Sequence, residues 1–233
     1  MRTFPVVTPY SNYGKTVVLF LVALFSDQGG QTFTMKMICV GRNYIEHARE
    51  LGSEIPEEPV LFLKPDTAML PPGEPFRLPP FSKEIHHEIE LVLRISKKAT
   101  QVSVEDSAYC YDQIGLGLDF TARDLQSKCK AKGLPWEIAK AFDGSAAVGE
   151  FGPVPSGDIE FDLRRGGQVV QAGSSRQMLH RFDALISFAS RYFTLLPGDL
   201  VFTGTPAGVG PVASGDLLEG YLNGQLRLTC SVK

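Results

Sequence analysis

Several features that would place a sequence at once in a special class are missing from this 233-residue chain, and each gap removes an option. The four cysteines, Cys39, Cys110, Cys129 and Cys230, form no CxxC pair and no dense framework. That excludes a disulfide-stapled scaffold and suits free thiols in a reducing compartment. Neither charge sign dominates: 23 Lys and Arg stand against 26 Asp and Glu, for a net charge of -3, so there is no basic footprint for nucleic acid. The one basic run, Lys128, Lys130 and Lys132, precedes Gly133 and Pro135 and reads as the last turn of a helix, where the macrodipole favours cations. No apolar run is long enough for a membrane span. Residues 16–25 (TVVLFLVALF) follow Arg2 and Lys15 like a secretory h-region, but they fall short of the ~20 residues a span requires. The SDQGG that follows them supplies no small-x-small cleavage pattern. Residues 1–34 are therefore expected to be an extension or accessory segment, with the domain proper at 35–233 and a cytoplasmic site of action, export or organelle targeting staying open through the apolar run. Internal repeats and low-complexity tracts are also lacking.

What is present is a composition with 43% hydrophobic and 21% charged residues, enough for one sizeable core. The segment Ile85-His86-His87-Glu88-Ile89-Glu90-Leu91-Val92-Leu93 sets two carboxylates inside what otherwise reads as a buried strand. Side chains alternate along a strand, so Ile85, Ile89, Leu91, Leu93 and Ile95 share one face, while His86, Glu88, Glu90, Val92 and Arg94 share the other. Two like charges that close disfavour each other's ionisation unless a cation or a shared proton intervenes. A second alternating segment, Ile114-Gly115-Leu116-Gly117-Leu118-Asp119-Phe120, offers a third carboxylate, and Gly115 and Gly117 are expected to clear space beside it for a ligand. Three carboxylates without Cys or His in the pattern suit a hard cation such as Mg2+ or Mn2+ better than zinc. A solvated sheet face, with Glu88 and Glu90 alternating against the core, explains the same spacing.

Around these strands the pattern is β-rich. Residues 43–52 predict a short helix capped by Asn43 and ended by Gly52, with His47 and Glu50 one turn apart, either as a carboxylate orienting an imidazole or as an exposed ion pair. Ser103 opens a helix expected to run to about Asp112, and Thr121 with Asp124 forms a capping-box pattern leading a helix to Gly133. Arg123, Gln126 and Lys130 share a face of that helix. Arg165-Gly166-Gly167 and Asn223-Gly224 signal hairpins, and a longer helix covers residues 178–193 by its apolar spacing. The Gly204–Pro211 loop can present N–H groups and the Thr205 hydroxyl to an anion or be an ordinary turn; it is no P-loop, since no Gly-Lys-Ser/Thr ends it.

Taken together, Val40-Gly41-Arg42-Asn43-Tyr44, His47 to Glu50, Pro59-Val60-Leu61-Phe62-Leu63-Lys64-Pro65, His86-His87-Glu88-Ile89-Glu90, Leu118-Asp119-Phe120-Thr121-Ala122-Arg123-Asp124, Gly133-Leu134-Pro135-Trp136 and Thr203-Gly204-Thr205-Pro206 resemble the fumarylacetoacetate hydrolase family. The resemblance covers residues 37–233 in order and is nearest to the short, single-domain members described as acylpyruvases and oxaloacetate decarboxylases. It implies an α+β, β-rich fold of the mixed β-roll type, an Mg2+ or Mn2+ site and a homodimer. It also implies Glu88, Glu90 and Asp119 as metal ligands, His47 and Glu50 as a catalytic dyad on a mobile lid, and Lys140 as an active-site lysine. Arg42, Arg123, Gln126 and Thr205 match positions that hold the substrate, and Lys64 matches a motif position without a fixed role. The activity implied is cleavage or decarboxylation of small 2-oxo acids through an enolate: acylpyruvate hydrolysis or oxaloacetate decarboxylation. The alternative is a dienoate isomerase or decarboxylase of aromatic degradation, of the 2-hydroxyhepta-2,4-diene-1,7-dioate isomerase type.

Overall fold

Two stretches of alternating sequence, 85–95 and 111–122, pair into one long antiparallel ribbon whose bend organises the rest of the molecule. The computed structural model describes residues 34–50, 52 and 55–233; the expected extension, residues 1–34, lies outside this range except for Thr34. In chain order the elements are β1 (Met37–Gly41), α1 (Ile45–Glu50), β2 (Val60–Lys64), β3 (Ile85–His87), β4 (Ile89–Ile95), α2 (Val104–Ser107) and β5 (Tyr111–Asp119). There follow β6 (Thr121–Ala122), α3 (Arg123–Lys132), α4 (Glu137–Lys140), β7 (Ala146–Val148), β8 (Gly152–Pro153), β9 (Glu160–Arg165) and β10 (Gln168–Ser174). The chain ends with α5 (Phe182–Tyr192), β11 (Leu200–Phe202), β12 (Gly210–Pro211), β13 (Leu217–Leu222) and β14 (Gln225–Ser231).

The fold is mixed α+β and β-rich. A seven-stranded sheet has the order β2-β1-β11-β4-β5-β7, with β8 also paired to β5. Only the β1–β11 pairing is parallel. A four-stranded sheet runs β10-β9-β13-β14 and a three-stranded one β12-β3-β6. The ribbon crosses from the seven-stranded sheet (β4 with β5) to the three-stranded sheet (β3 with β6) at Glu88 and Phe120. Strands change sheets at such bends, and here the bend is pinned by the Asp119 N–H donating to the Glu88 carbonyl at 2.9 Å.

Ile89, Leu91, Leu93 and Ile95 of β4 join Leu116 and Leu118 of β5 in the main core, against Phe161 and Leu163 of β9 and Leu218 of β13. The opposite face of β4 is covered as well, because Val92 packs with Met37, Cys39 and Phe202. Gly117 belongs to this second layer: a Cβ there would stand 2.6 Å from Phe202 Cε1 and 2.7 Å from Val92 Cγ2, and one at Gly115 would stand 3.1 Å from the Glu150 carbonyl. The space expected for a ligand beside these two glycines is filled by aromatic and aliphatic packing instead. The two hairpins turn on Gly166-Gly167 and Asn223-Gly224, all four at positive φ as a type I′ turn requires.

Four local expectations differ from the structure. The helix after Ser103 spans only Val104–Ser107, because the Cys110 carbonyl already accepts from Ser96 at 2.8 Å and Tyr111 pairs with Ile95. Asn43 does not cap α1. Its amide donates to the His180 and Thr203 carbonyls at 3.0 and 2.8 Å, tying the α1 approach to the loop after β11. Thr121 forms no capping box; it lies in β6, and α3 starts without a side-chain cap. The long helix runs Phe182–Tyr192, and Met178 lies ahead of it, bridged to Tyr44. No helix among the described residues is long and apolar enough to cross a membrane.

Candidate active site

Glu88 at the ribbon bend, Glu90 one pleat further along β4 and Asp119 at the end of β5 converge, each offering an oxygen within 4.8 Å of the others. Their exposures of 4%, 2% and 0% decide between the two readings of the spacing: this is not a solvated sheet face. Burying three carboxylates is tolerable only with counter-charge, and three cations supply it. Lys140, at the end of α4, donates to Glu88 Oε2 at 2.8 Å, Asp119 Oδ2 at 2.7 Å and the Thr121 hydroxyl at 2.6 Å. Arg123, opening α3, donates to Glu88 Oε1 at 2.5 Å and to Gln126 Oε1 at 2.5 Å. Lys64, at the end of β2 and fully buried, lies 2.9 Å from Asp119 Oδ1 and is held by the Lys140 carbonyl and by Ser145.

The electrostatics follow from these contacts. Burial works against the charge of Glu88, but Lys140 and Arg123 outweigh it and hold the carboxyl well below the usual range. Burial likewise opposes the charge of Lys140, and Asp119 and Glu88 outweigh it and hold the ammonium above the usual lysine range. Glu90 is the odd member. Burial and the neighbouring Asp119 push its carboxyl well above the usual range, and Lys140 and the Gly204 N–H, which donates to Oε2 at 2.7 Å, offset this only in part.

His47 and Glu50 lie on α1 with Nδ1 and Oε2 3.2 Å apart, and His47 shares a cleft with the carboxylates. Burial lowers the imidazole below its usual value, with Glu88 and Glu50 pulling the other way. Glu50 also accepts from the Gly208 N–H at 3.1 and 3.3 Å, so the Gly204–Pro211 loop spends two of its N–H groups on Glu90 and Glu50 rather than on a free anion. The Thr205 hydroxyl donates to the Ile89 carbonyl at 2.8 Å and accepts from Gln171 at 2.6 Å. Arg42, Arg123, Gln126 and Thr205 all line the same cleft.

Four contributors were not read from the sequence. Gln171 reaches from β10 to hold Thr205, the Ile89 N–H and His87, and only the tertiary pairing of separate sheets brings it there. Thr121 binds Lys140 where a helix cap was expected. Trp136 lines the cleft, and so does Lys130, the middle member of a run read as a solvated helix end; the shared face of Arg123, Gln126 and Lys130 was its signal.

The donor set fits a divalent cation. It is all oxygen, as hard cations prefer, and the buried Asp119 Oδ1 has no hydrogen-bond donor, since Lys64 meets it outside hydrogen-bond geometry. A family model described as fumarylacetoacetate (FAA) hydrolase C-terminal matches residues 36–233. Oxaloacetate tautomerase YcgM of Escherichia coli (strain K12) is 42% identical over 194 residues, covering 81% of this chain and 89% of the relative. A fumarylpyruvate hydrolase structure from Pseudomonas aeruginosa, in complex with Mn2+ and pyruvate, aligns with a TM-score of 0.79 at 38% identity, covering 87% of this chain and 91% of that one. The structure of 2-hydroxyhepta-2,4-diene-1,7-dioate isomerase from Mycobacterium marinum aligns with a TM-score of 0.74 at 36% identity, over 85% and 74% of the two chains. By sequence, fold and matched length, this chain belongs to the fumarylacetoacetate hydrolase family.

Proposed function

We propose that the protein is a divalent-metal-dependent enzyme that cleaves, decarboxylates or tautomerises small 2-oxo acids through their enolates, with oxaloacetate and acylpyruvates as the substrate class. The observation that carries this reading is the buried Glu88–Glu90–Asp119 cluster opening on the same cleft as His47. Oxaloacetate tautomerisation, fumarylpyruvate hydrolysis and dienoate isomerisation, the activities named for the three relatives, share one requirement: negative charge developed next to a 2-oxo group.

Glu88, Glu90 and Asp119 would hold Mg2+ or Mn2+, and when bound the ion supplies Lewis-acid polarisation of the 2-oxo group. Arg123 spends three of its five N–H groups on Glu88, Gln126 and His86 and keeps two for the substrate carboxylate. With Nδ1–H donating to Glu50, His47 keeps Nε2 as its free base. In tautomerisation His47 takes a proton from C3, the C–H electron pair forms the C2–C3 double bond as the carbonyl π pair moves onto the 2-oxo oxygen, and return of the proton to that oxygen completes the enol. In hydrolysis His47 takes a proton from water, the oxygen adds to the distal carbonyl carbon, and the carbon–carbon bond breaks with its electron pair left on the pyruvate enolate. Decarboxylation of oxaloacetate leaves the same enolate without an attacking water. The Lys140 ammonium, fixed beside Glu88 and Asp119, stabilises the developing oxyanion.

A homodimer belongs to the same reading, with Leu134 and Ile138, 49% and 62% exposed on either side of Trp136, as the apolar surface available to a second copy; light scattering at twice the chain mass checks it. Four free, buried cysteines suit a reducing compartment. The function is tested by assaying oxaloacetate, acetylpyruvate and a hydroxymuconate-type dienoate with EDTA and with Mg2+ or Mn2+ restored. Metal-dependent turnover of a 2-oxo acid is expected, and turnover indifferent to EDTA would overturn the reading.

A further inference from the structure

Five cations surround the cleft, and three of them are committed. Lys64, Lys140 and Arg123 all pair with Asp119 and Glu88, while Glu90 accepts from the Gly204 N–H instead. Arg42 and Lys130 also line the cleft and, among the described residues, pair with no acidic side chain. Arg42 Nε is buried without any hydrogen-bond partner, and the residue is held at φ +63°, a conformation that a non-glycine residue adopts at a cost. Lys130 follows Arg123 and Gln126 at helical spacing on α3, so one helix face serves the whole cleft. The Trp136 ring, 5.5 Å from Lys130 Nζ, covers the ammonium, and the ring leans on Phe62 at 6.1 Å between centroids. Two partly buried cations without an anion are a poor arrangement for a protein alone. A divalent cation held by the triad would add two further positive charges.

We propose that Lys130, with Arg42 beside it, seats the distal carboxylate of a dicarboxylic 2-oxo acid and so makes the cleft selective for dianionic over monoanionic substrates. This rests on the 2-oxo acid reading above and narrows it: a monoacid leaves Lys130 and Arg42 unpaired, and a diacid pairs them. The environment of Lys130 agrees. Burial, Arg123 and Arg42 push its ammonium down to about 8, with Lys140 acting in the same direction and Glu88 alone opposing. A carboxylate placed between Lys130 and Arg42 relieves that stress.

The test uses the full chain loaded with Mn2+ and two ligands that differ only in the group at issue: oxaloacetate, and 2-oxobutyrate, in which a methyl replaces the distal carboxylate. Lys130→Met should lower the oxaloacetate-to-2-oxobutyrate affinity ratio by about thirtyfold, the effect of truncating one partner of a desolvated charge pair. In turnover the loss should fall on KM for oxaloacetate, with kcat little changed. Lys130→Arg should restore the ratio. It should also remove the weakening of oxaloacetate binding that the parent shows as pH rises past about 8, because arginine stays charged. An unchanged ratio in Lys130→Met, or an equal loss for both ligands, overturns the proposal. Binding that discriminates the two ligands without turnover of either would instead count against the enzymatic reading while leaving this one standing.

Discussion

A lysine with no exposed surface has to be matched to a carboxylate, and Lys64 is matched to Asp119. Lys64→Met should therefore destabilise the protein, by less than the ~3–5 kcal/mol that fully stranding a buried charge costs, because Lys140 still holds Asp119 Oδ2. Urea unfolding checks this, and adding Asp119→Asn should recover part of the loss. The sequence motif contained Lys64 but not its role, because its partners are 55 or more positions away and only the sheet order brings them together. By contrast, the convergence of Glu88 and Glu90 was legible, since strand alternation alone sets them on one face. His47 makes a second residue-scale prediction. Burial holds it below its ordinary 6.5, so it is a neutral base at pH 7, and the limb of kcat/KM that His47 sets should lie on the acid side of 6.5. Glu50 raises the imidazole value, so Glu50→Gln should move that limb to lower pH while lowering the plateau. His47→Ala should cost acetylpyruvate hydrolysis about 10²–10⁴-fold and oxaloacetate decarboxylation less, since only hydrolysis needs an activated water.

Among the elements, the bent ribbon of β3–β4 with β5–β6 governs the site, and its tolerance is set where the second layer packs on it. Gly117→Ala would drive a methyl into Phe202 and Val92, both inside a packed layer. It should destabilise by about 1–3 kcal/mol, measured by thermal or urea unfolding. An unaffected variant would mean that the layer relaxes and that Gly117 is not kept for packing. The turns were legible because Gly-Gly and Asn-Gly have few alternatives to positive φ. The helix expected over 103–112 and the Thr121 cap were misread for one reason: a local polar pattern was outbid by tertiary demand. Tyr111 is taken up by the sheet at Ile95, and the Thr121 hydroxyl by Lys140. The same limit hid Lys130, whose helix-end charge pattern is ordinary until Trp136 and Arg42 are placed beside it.

At the scale of the molecule, residues 36–233 carry the family match, and Met35–Lys233 forms one compact unit. A chain starting at Met35 should therefore keep its fold and metal-dependent activity. One starting at Met37 loses the Lys36–Asp199 ion pair and should melt roughly 2–4 °C lower, the equivalent of about 1 kcal/mol at this size. Differential scanning calorimetry on both forms checks this. The net charge of the sequence showed no basic footprint for nucleic acid, and its apolar content allowed one large core. They said nothing of a cleft in which three carboxylates meet, which is where the function reading stands or falls. Its most direct test is an electron paramagnetic resonance titration of metal-free protein with Mn2+, run on the parent and on Glu88→Ala, Glu90→Ala and Asp119→Ala, each shown to be folded by circular dichroism. One Mn2+ per chain in the parent and strongly weakened binding in all three variants is the predicted result; unchanged affinity across the three would contradict the assignment of the metal site.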